Sequence, residues 1–154
     1  MNTETQVGLP EGSVKLSCEY AITSVEVTSG EITEVLALEP SRHFAKGDQV
    51  IPKNPARSTI VRFHHLWALH TEPQIGDALE LSNAHVRQLR VLLEPRIAAI
   101  ELIRRRRVRT NFQVWIEANG WGIDVLCGSA YLAFIARVSE GFQITEVPFI
   151  ERKG

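Results

Sequence analysis

The stretch VKLSCEYAITS, residues 14–24, sets the architecture because apolar and polar side chains alternate along it. In an extended chain, successive side chains point to opposite faces of the sheet. One face of this segment carries Val14, Leu16, Cys18, Tyr20 and Ile22, and the other carries Lys15, Ser17, Glu19 and Thr23. This pattern predicts a β-strand that packs against a core on one side and meets water on the other.

Three later segments have the same extended character. Residues 60–71 are interpreted as one strand, with one face made of Val61, Phe63, His65, Trp67 and Leu69. Residues 108–118 alternate Phe112, Val114 and Ile116 with polar neighbours, which predicts a third strand. The final FQITEVPF, residues 142–149, predicts a fourth strand that Pro148 shortens, since proline cannot donate to a ladder.

Helical spacing appears between these strands. Thr28 or Ser29 can cap a short helix that ends before Pro40. A longer pattern starts at about Ser82, and its apolar residues recur every three or four positions: Val86, Leu89, Leu93, Ile97, Ile100 and Ile103. Pro95 interrupts that pattern and predicts two helices or one sharp kink. A last helix is predicted over about residues 129–139.

The predicted order is therefore β-α-β-αα-β-α-β. Without the central helical pair, this is the split β-α-β plan of ferredoxin-like folds. We predict an α+β fold, a ferredoxin-like variant with a four-stranded, mainly antiparallel sheet and an extra helical pair inserted between strands two and three. Residues 1–12 are predicted to be a flexible tail and residues 13–154 a single domain. Residues 40–58 predict a long loop, either functional or a variable surface connection.

Composition narrows the class of protein. The net charge of −1 over 154 residues gives no global basic field, so nucleic-acid binding is not expected. The N-terminus lacks the basic and apolar regions of a secretory signal, and no apolar run approaches the ~18–20 residues of a membrane span. Two cysteines are too few for a disulfide framework. These features predict a cytoplasmic protein with no membrane partner.

No catalytic or metal-binding motif stands out. RFHHLWALH, residues 62–70, holds three histidines, but strand alternation puts His64 and His65 on opposite faces. His64 and His70 are six residues apart, about 20 Å in a strand, which is too far for one zinc ion. The run IRRRRVRT, residues 103–110, is interpreted as a solvated helix end. We therefore expect no metal, no cofactor and no catalytic residue.

The polar face of the predicted sheet is the best candidate for binding. If the strands are in the predicted register, six side chains lie on it: Arg62, His64, His70, Arg109, Gln113 and Trp115. An outward Trp115 beside Leu66 and Ala68 indicates a contact surface, because exposed aromatic groups often mark interfaces. The alternative is that Trp115 is covered by the inserted helices or by a second subunit.

The order of these pieces resembles the bacterial domain of unknown function 4279 (DUF4279) family over about residues 14–147. The first strand ends in YAITS, EITEVLALEPSR and a KGD loop follow, and WALHTE and VRQLRVLLEPRIAAIELI come next. The residues that carry the resemblance are Ile32, Leu36, Leu38, Pro40, Gly47, Trp67, Leu89, Leu92, Leu93 and Pro95. They are mainly core and turn residues, so the resemblance implies a shared fold and no known activity.

Two classes of function are left open by the sequence. The first is a non-catalytic binding or protein-interaction domain, using the polar sheet face or residues 40–58, with an antitoxin-like immunity protein as a specific version. The second is an enzyme whose site is assembled from distant residues, for instance His64 or His70 with Glu117 or Asp124. The expected partner is another protein, or a second copy in a homodimer.

Overall fold

The computed structural model describes residues 8–119 and 128–150. Its strands are β1 (Val14–Ser24), β2 (Arg42–Phe44), β3 (Gln49–Val50), β4 (Ile60–Val61), β5 (His65–His70), β6 (Gln74–Gly76), β7 (Val108–Ala118) and β8 (Gly141–Pro148). Its helices are α1 (Ser29–Leu36), α2 (Ala78–Leu93), α3 (Ile97–Arg104) and α4 (Ser129–Val138). Most of the expected tail lies outside the described residues, as does Asp124.

β1 is the centre of the main sheet. The strand order is β2-β5-β1-β7-β8, and the short β6 pairs with β1 beyond the end of β5. β1 is antiparallel to β5, β6 and β7, whereas β8 is parallel to β7. Parallel neighbours need a crossover connection, and α4 lies in the one that joins β7 to β8.

The mixed architecture with a mainly antiparallel sheet is confirmed, but its details differ from the expectation. The described part of the main sheet has six strands instead of four, because β2 and β6 add short segments. The ferredoxin-like variant is not established, since β8 runs parallel to its neighbour. Residues 40–58, expected to be a loop, contain β2 and β3.

The prediction of one strand over residues 60–71 was wrong. The chain forms β4 outside the main sheet and enters the main sheet only at β5. β4 pairs with β3 in a separate two-stranded sheet, and Arg62 continues that ladder by donating its N–H to the Asp48 carbonyl at 2.9 Å. Phe63, expected on the same face as Trp67, is instead 78% exposed while Trp67 is fully buried.

The helices cover the apolar face of β1. Val14, Leu16, Cys18, Tyr20 and Ile22 all belong to one buried cluster with side chains of α1, α2, α3 and α4. α2 begins at Ala78, earlier than predicted, because the Asp77 side chain accepts from Glu80 N–H as an N-cap. Pro95 lies in a 3₁₀ turn, Glu94–Arg96, that separates α2 from α3, so the predicted break in the helical pair is confirmed.

The predicted solvated helix end at the arginine run is found. α3 ends at Arg104, and the arginines reach separate carboxylates: Arg104 lies 3.7 Å from Glu140, Arg106 2.9 Å from Glu31 and Arg107 3.0 Å from Glu26. Glu31 also caps α1, and hydrogen bonds from the Thr28 backbone and then from Arg106 lower its pKa to about 2. The run therefore spreads its charge over the structure and forms no single patch.

Tyr20 connects β1 to the end of α4. Its hydroxyl donates to the buried Val138 carbonyl at 2.8 Å, and burial raises the pKa of the phenol above its ordinary value. We expect Tyr20→Phe to lower the free energy of unfolding by about 1–3 kcal/mol, because it leaves a buried carbonyl without this donor. Urea denaturation followed by circular dichroism measures the change.

Tyr131→Phe is the matched control for this variant. The Tyr131 hydroxyl accepts a 3.4 Å hydrogen bond from Arg87 at an exposed position. Its removal should change the free energy of unfolding by no more than about 0.5 kcal/mol. Equal effects of the two substitutions would show that the bond to Val138 does not stabilise the junction.

Candidate functional site

We call the side of the main sheet opposite the helices the open face. Alternate residues of β1 point to it, and they remain partly exposed: Lys15, Ser17, Glu19, Ala21 and Thr23. The strand register brings distant residues together there. Glu19 is opposite His70 of β5 and Gln113 of β7, and Ser17 is opposite Trp115.

The structure gathers three of the six predicted site residues. His70, Gln113 and Trp115 lie around Glu19 and Ser17 on the open face. Arg109 is on the same face but opposite Thr23, four residues or about 14 Å along β7 from Gln113.

Arg62 and His64 lie elsewhere, because the chain enters the main sheet only at His65, the first residue of β5. The Arg62 guanidinium is 4.2 Å from the ring centroid of Phe44, and the His64 ring is 5.5 Å from it. Phe44 is opposite Leu66, so this cluster lies at the margin of the open face, at the end of β2.

A groove with two adjoining cavities flanks Trp115. The first has a volume of about 280 Å³ and is lined by Ser17, Cys18, Glu19, Arg42, His70, Thr71, Pro73 and Trp115. The second has a volume of about 240 Å³ and is lined by Lys15, Leu16, Ser17, Pro73, Trp115 and Glu117. Because Ser17, Pro73 and Trp115 line both cavities, we treat them as one groove.

A β-bulge between β5 and β6, in the chain that pairs with β1, makes room for the groove. His70 is opposite Glu19 and Gln74 is opposite Leu16, so three residues, 71–73, face only two on β1. Pro73 has no N–H to donate to a ladder. Thr71 satisfies the Cys18 peptide group instead, since its N–H donates to the Cys18 carbonyl at 2.9 Å and its hydroxyl accepts from Cys18 N–H at 2.8 Å.

Ion pairs occupy both ends of the groove. At one end the Arg42 Nη2 lies 2.8 and 2.9 Å from the two carboxylate oxygens of Glu19. At the other end Lys15 is 4.0 Å from Glu117. These lining carboxylates therefore each have a cation beside them, and the centre between the two pairs carries Trp115.

Polar groups near Trp115 include atoms that can still form hydrogen bonds. The Gln113 amide donates to the Thr145 hydroxyl at 3.0 Å, which fixes the orientation of the amide. Among the described residues, the Gln113 carbonyl oxygen and the Ser17 hydroxyl have no hydrogen-bond partner. Both groups are therefore available to a ligand that contacts the Trp115 indole. Trp115 itself is 42% exposed.

His85 lies beneath the bulge and was not singled out from the sequence. It is fully buried on α2, and its Nδ1 is hydrogen-bonded to the Thr71 hydroxyl. Its Nε2 has no hydrogen-bond partner among the described residues, and burial lowers the pKa of the imidazole. Helical spacing was the available indication, because His85 precedes the core residue Leu89 by four positions.

Of the acid–base pairs expected for an enzyme, His70 and Glu117 do not come together, and the pairs with Asp124 lie outside the described residues. His70 and Glu117 are separated by two strand spacings and by four residues along β7, roughly 10 Å across and 14 Å along. His70 instead lies 3.8 Å from Glu72. Within the described residues, no group of three or more His, Cys, Asp or Glu side chains has the geometry of a metal site.

These observations define a mixed α/β domain with helices on one sheet face and a groove on the other. Residues 14–145 match the family model described as "Domain of unknown function (DUF4279)", so the chain belongs to this family. The match runs from the first residue of β1 into β8, and it contains every lining residue of the groove.

Two further searches, one of the curated proteins and one of the solved structures, find no match. Among the described residues, no helix has the length and apolar character needed to cross a membrane.

The lowered pKa of the buried His85 imidazole should affect how the free energy of unfolding depends on pH. Because its folded pKa is lowered, the unfolded chain binds more protons between that value and the ordinary pKa of 6.5. Proton uptake by His85 in the unfolded chain therefore lowers the free energy of unfolding as pH falls below 6.5. We expect the free energy of unfolding to fall less between pH 7 and pH 5.5 in His85→Leu than in the wild-type protein, measured by urea denaturation at each pH.

His43→Gln is the matched control for this measurement, because His43 is exposed. If His85→Leu and the control both retain the wild-type dependence on pH, the buried imidazole does not contribute to it.

Proposed function

We propose that this protein is a non-catalytic binding domain that holds a small polar ligand in the groove. The observation that carries the proposal is the meeting of two cavities at an exposed tryptophan on a sheet face opposite the core. Ligand sites are concave and combine apolar surface with a few oriented polar groups. Trp115 supplies the apolar surface, and Ser17 and Arg42 supply polar groups of the lining. Gln113 lies beside the groove, two residues before Trp115 on β7 and opposite Glu19.

The charges of the groove support an uncharged or zwitterionic ligand. Glu19 and Glu117 each have a cation beside them before any ligand binds, so a singly charged ligand would have to displace an existing partner. A ligand with a flat apolar part and polar edges would instead lie on the indole. It would meet hydrogen-bonding groups on both sides without breaking either ion pair.

Two narrower expectations belong with this proposal. A location in the cytoplasm is proposed from the composition, and a bacterial source from the family resemblance. An antitoxin-like immunity protein is a specific version that needs a protein partner. The binding proposal does not depend on either, because it rests on the geometry around Trp115.

Nuclear magnetic resonance with a panel of probes tests the groove. The panel contains amino acids, dipeptides, mono- and disaccharides and dicarboxylates, added to ¹⁵N-labelled protein. We expect at least one class to shift the indole N–H of Trp115 together with the Gln113 side-chain amide. Trp115→Ala should abolish that binding, whereas Phe63→Ser, outside the main sheet, should leave it unchanged.

Two outcomes would contradict the proposal. One is that no class shifts the groove resonances, or that binding survives in Trp115→Ala. The other concerns a homodimer: if light scattering gives a dimer for the wild-type protein and a monomer for Trp115→Ala, the tryptophan surface is a subunit interface and not a ligand site.

A further inference from the structure

Residues 45–64 form an arm that projects from the main sheet. β3 and β4 pair only with each other in the described structure, with Gln49 opposite Val61 and Val50 opposite Ile60. The ladder continues to Arg62, whose carbonyl accepts from Gly47 N–H at 2.9 Å. Strand alternation therefore places Ile51, Val61 and Phe63 on one side of the arm, which we call the apolar strip.

The apolar strip is unusually exposed. Ile51 is 79% exposed, Phe63 78% and Val61 45%, and the first two are the highest values among the large apolar side chains of the described residues. Burying such side chains against a partner favours association, because it removes apolar surface from water. A contiguous exposed strip of this kind is typical of an interaction surface.

The base of the arm is fixed to the main sheet, so the strip is presented in a defined position. Arg62, on the other side of the arm, packs on the Phe44 ring. The Lys46 N–H donates to His65 Nδ1 at 3.1 Å, and the Ala45 N–H donates to Asp48 Oδ2 at 2.8 Å. Gly47 has a φ of +92°, a conformation that other residues rarely adopt, and it turns the chain into β3.

The arm also carries a local excess of positive charge. It contains four Lys or Arg and one Asp, whereas the rest of the chain contains thirteen Lys or Arg and seventeen Asp or Glu. Lys46, Lys53 and Arg57 are exposed, and none of them has an ion-pair partner among the described residues. This differs from the groove, where cations and carboxylates are paired.

We propose that the arm docks onto an acidic protein segment that also presents apolar side chains. The unpaired cations select the charge of the partner, and the apolar strip supplies the contact area that excludes water. A lipid surface fits less well, because the tip of the arm, residues 53–59, has no large apolar side chain to insert. The strip lies along the side of the arm, where a protein segment can pack.

Three synthetic peptides of equal length test this proposal by isothermal titration calorimetry. The first alternates Glu with Leu or Phe, the second replaces Glu by Lys, and the third replaces the apolar residues by Ser. We expect the first to bind at least about tenfold more tightly than either of the others, and to weaken as salt is added.

Variants locate the binding on the arm. Phe63→Ser, and the double variant Lys53→Glu with Arg57→Glu, should each weaken the acidic apolar peptide about tenfold or more. Val91→Ser is the matched control, since Val91 is 68% exposed on α2. Trp115→Ala should also bind the peptide normally, which separates this proposal from the groove. Thermal unfolding checks that each variant is folded.

Several outcomes would overturn the proposal. Equal affinity for the three peptides, or wild-type affinity in the arm variants, would remove the arm as a docking surface. If vesicles of equal phosphatidylserine and phosphatidylcholine bind in an arm-dependent way while the acidic peptide does not, the partner is a membrane. If Phe63→Ser converts a dimer to a monomer in light scattering, the partner is a second copy.

Discussion

The structure depends on the register of β1, the one strand that is hydrogen-bonded to β5 and β6 on one side and to β7 on the other. Side chains alternate between faces, so a shift of one residue would bury Lys15 and Glu19 and expose Leu16 and Tyr20. The cost of burying unpaired charges fixes the register strongly. Once β1 is in place, its open face determines which residues of β5 and β7 become neighbours.

The groove results from the way the Cys18 N–H and carbonyl find hydrogen-bond partners, on the side of β1 that faces β5 and β6. Between β5 and β6 the chain has one residue too many for a regular ladder, and Pro73 has no N–H. The Thr71 N–H donates to the Cys18 carbonyl, and the Thr71 hydroxyl accepts from the Cys18 N–H. The same hydroxyl is hydrogen-bonded to His85 in the core. The floor of the groove is thus connected through Thr71 to a buried imidazole on α2, so the two sides of the sheet are not independent there.

The sequence predicted the long elements well and the short ones poorly. β1, β7 and the helical pair split at Pro95 have enough residues for a period of two or about 3.6 to show. β2, β3, β4 and β6 have only two or three residues each, and partners distant in the chain select them. The parallel direction of β8 is likewise set by the crossover through α4 and not by its own residues.

The candidate site shows the same division. His70, Gln113 and Trp115 were found from alternation within predicted strands, and their neighbourhood follows from pairing with β1. Alternation could not find Arg42 and Glu19 as a pair, since β2 is a three-residue strand twenty-three positions away. The same reasoning misplaced Arg62 and His64, because the hydrogen bonds of the arm, and not the local pattern, end the strand before β5.

Charge shows why whole-chain composition is a weak guide to partners. A net charge of −1 excludes a field spread over the whole protein, and the paired ends of the groove agree with that balance. The arm differs, because its exposed Lys46, Lys53 and Arg57 have no ion-pair partner among the described residues. At physiological salt, interactions between exposed charges fade over about 8 Å, so only carboxylates within that reach would weaken the field of the arm's cations. A nearly neutral chain can therefore present one balanced site and one cationic site, and the two would respond differently to salt.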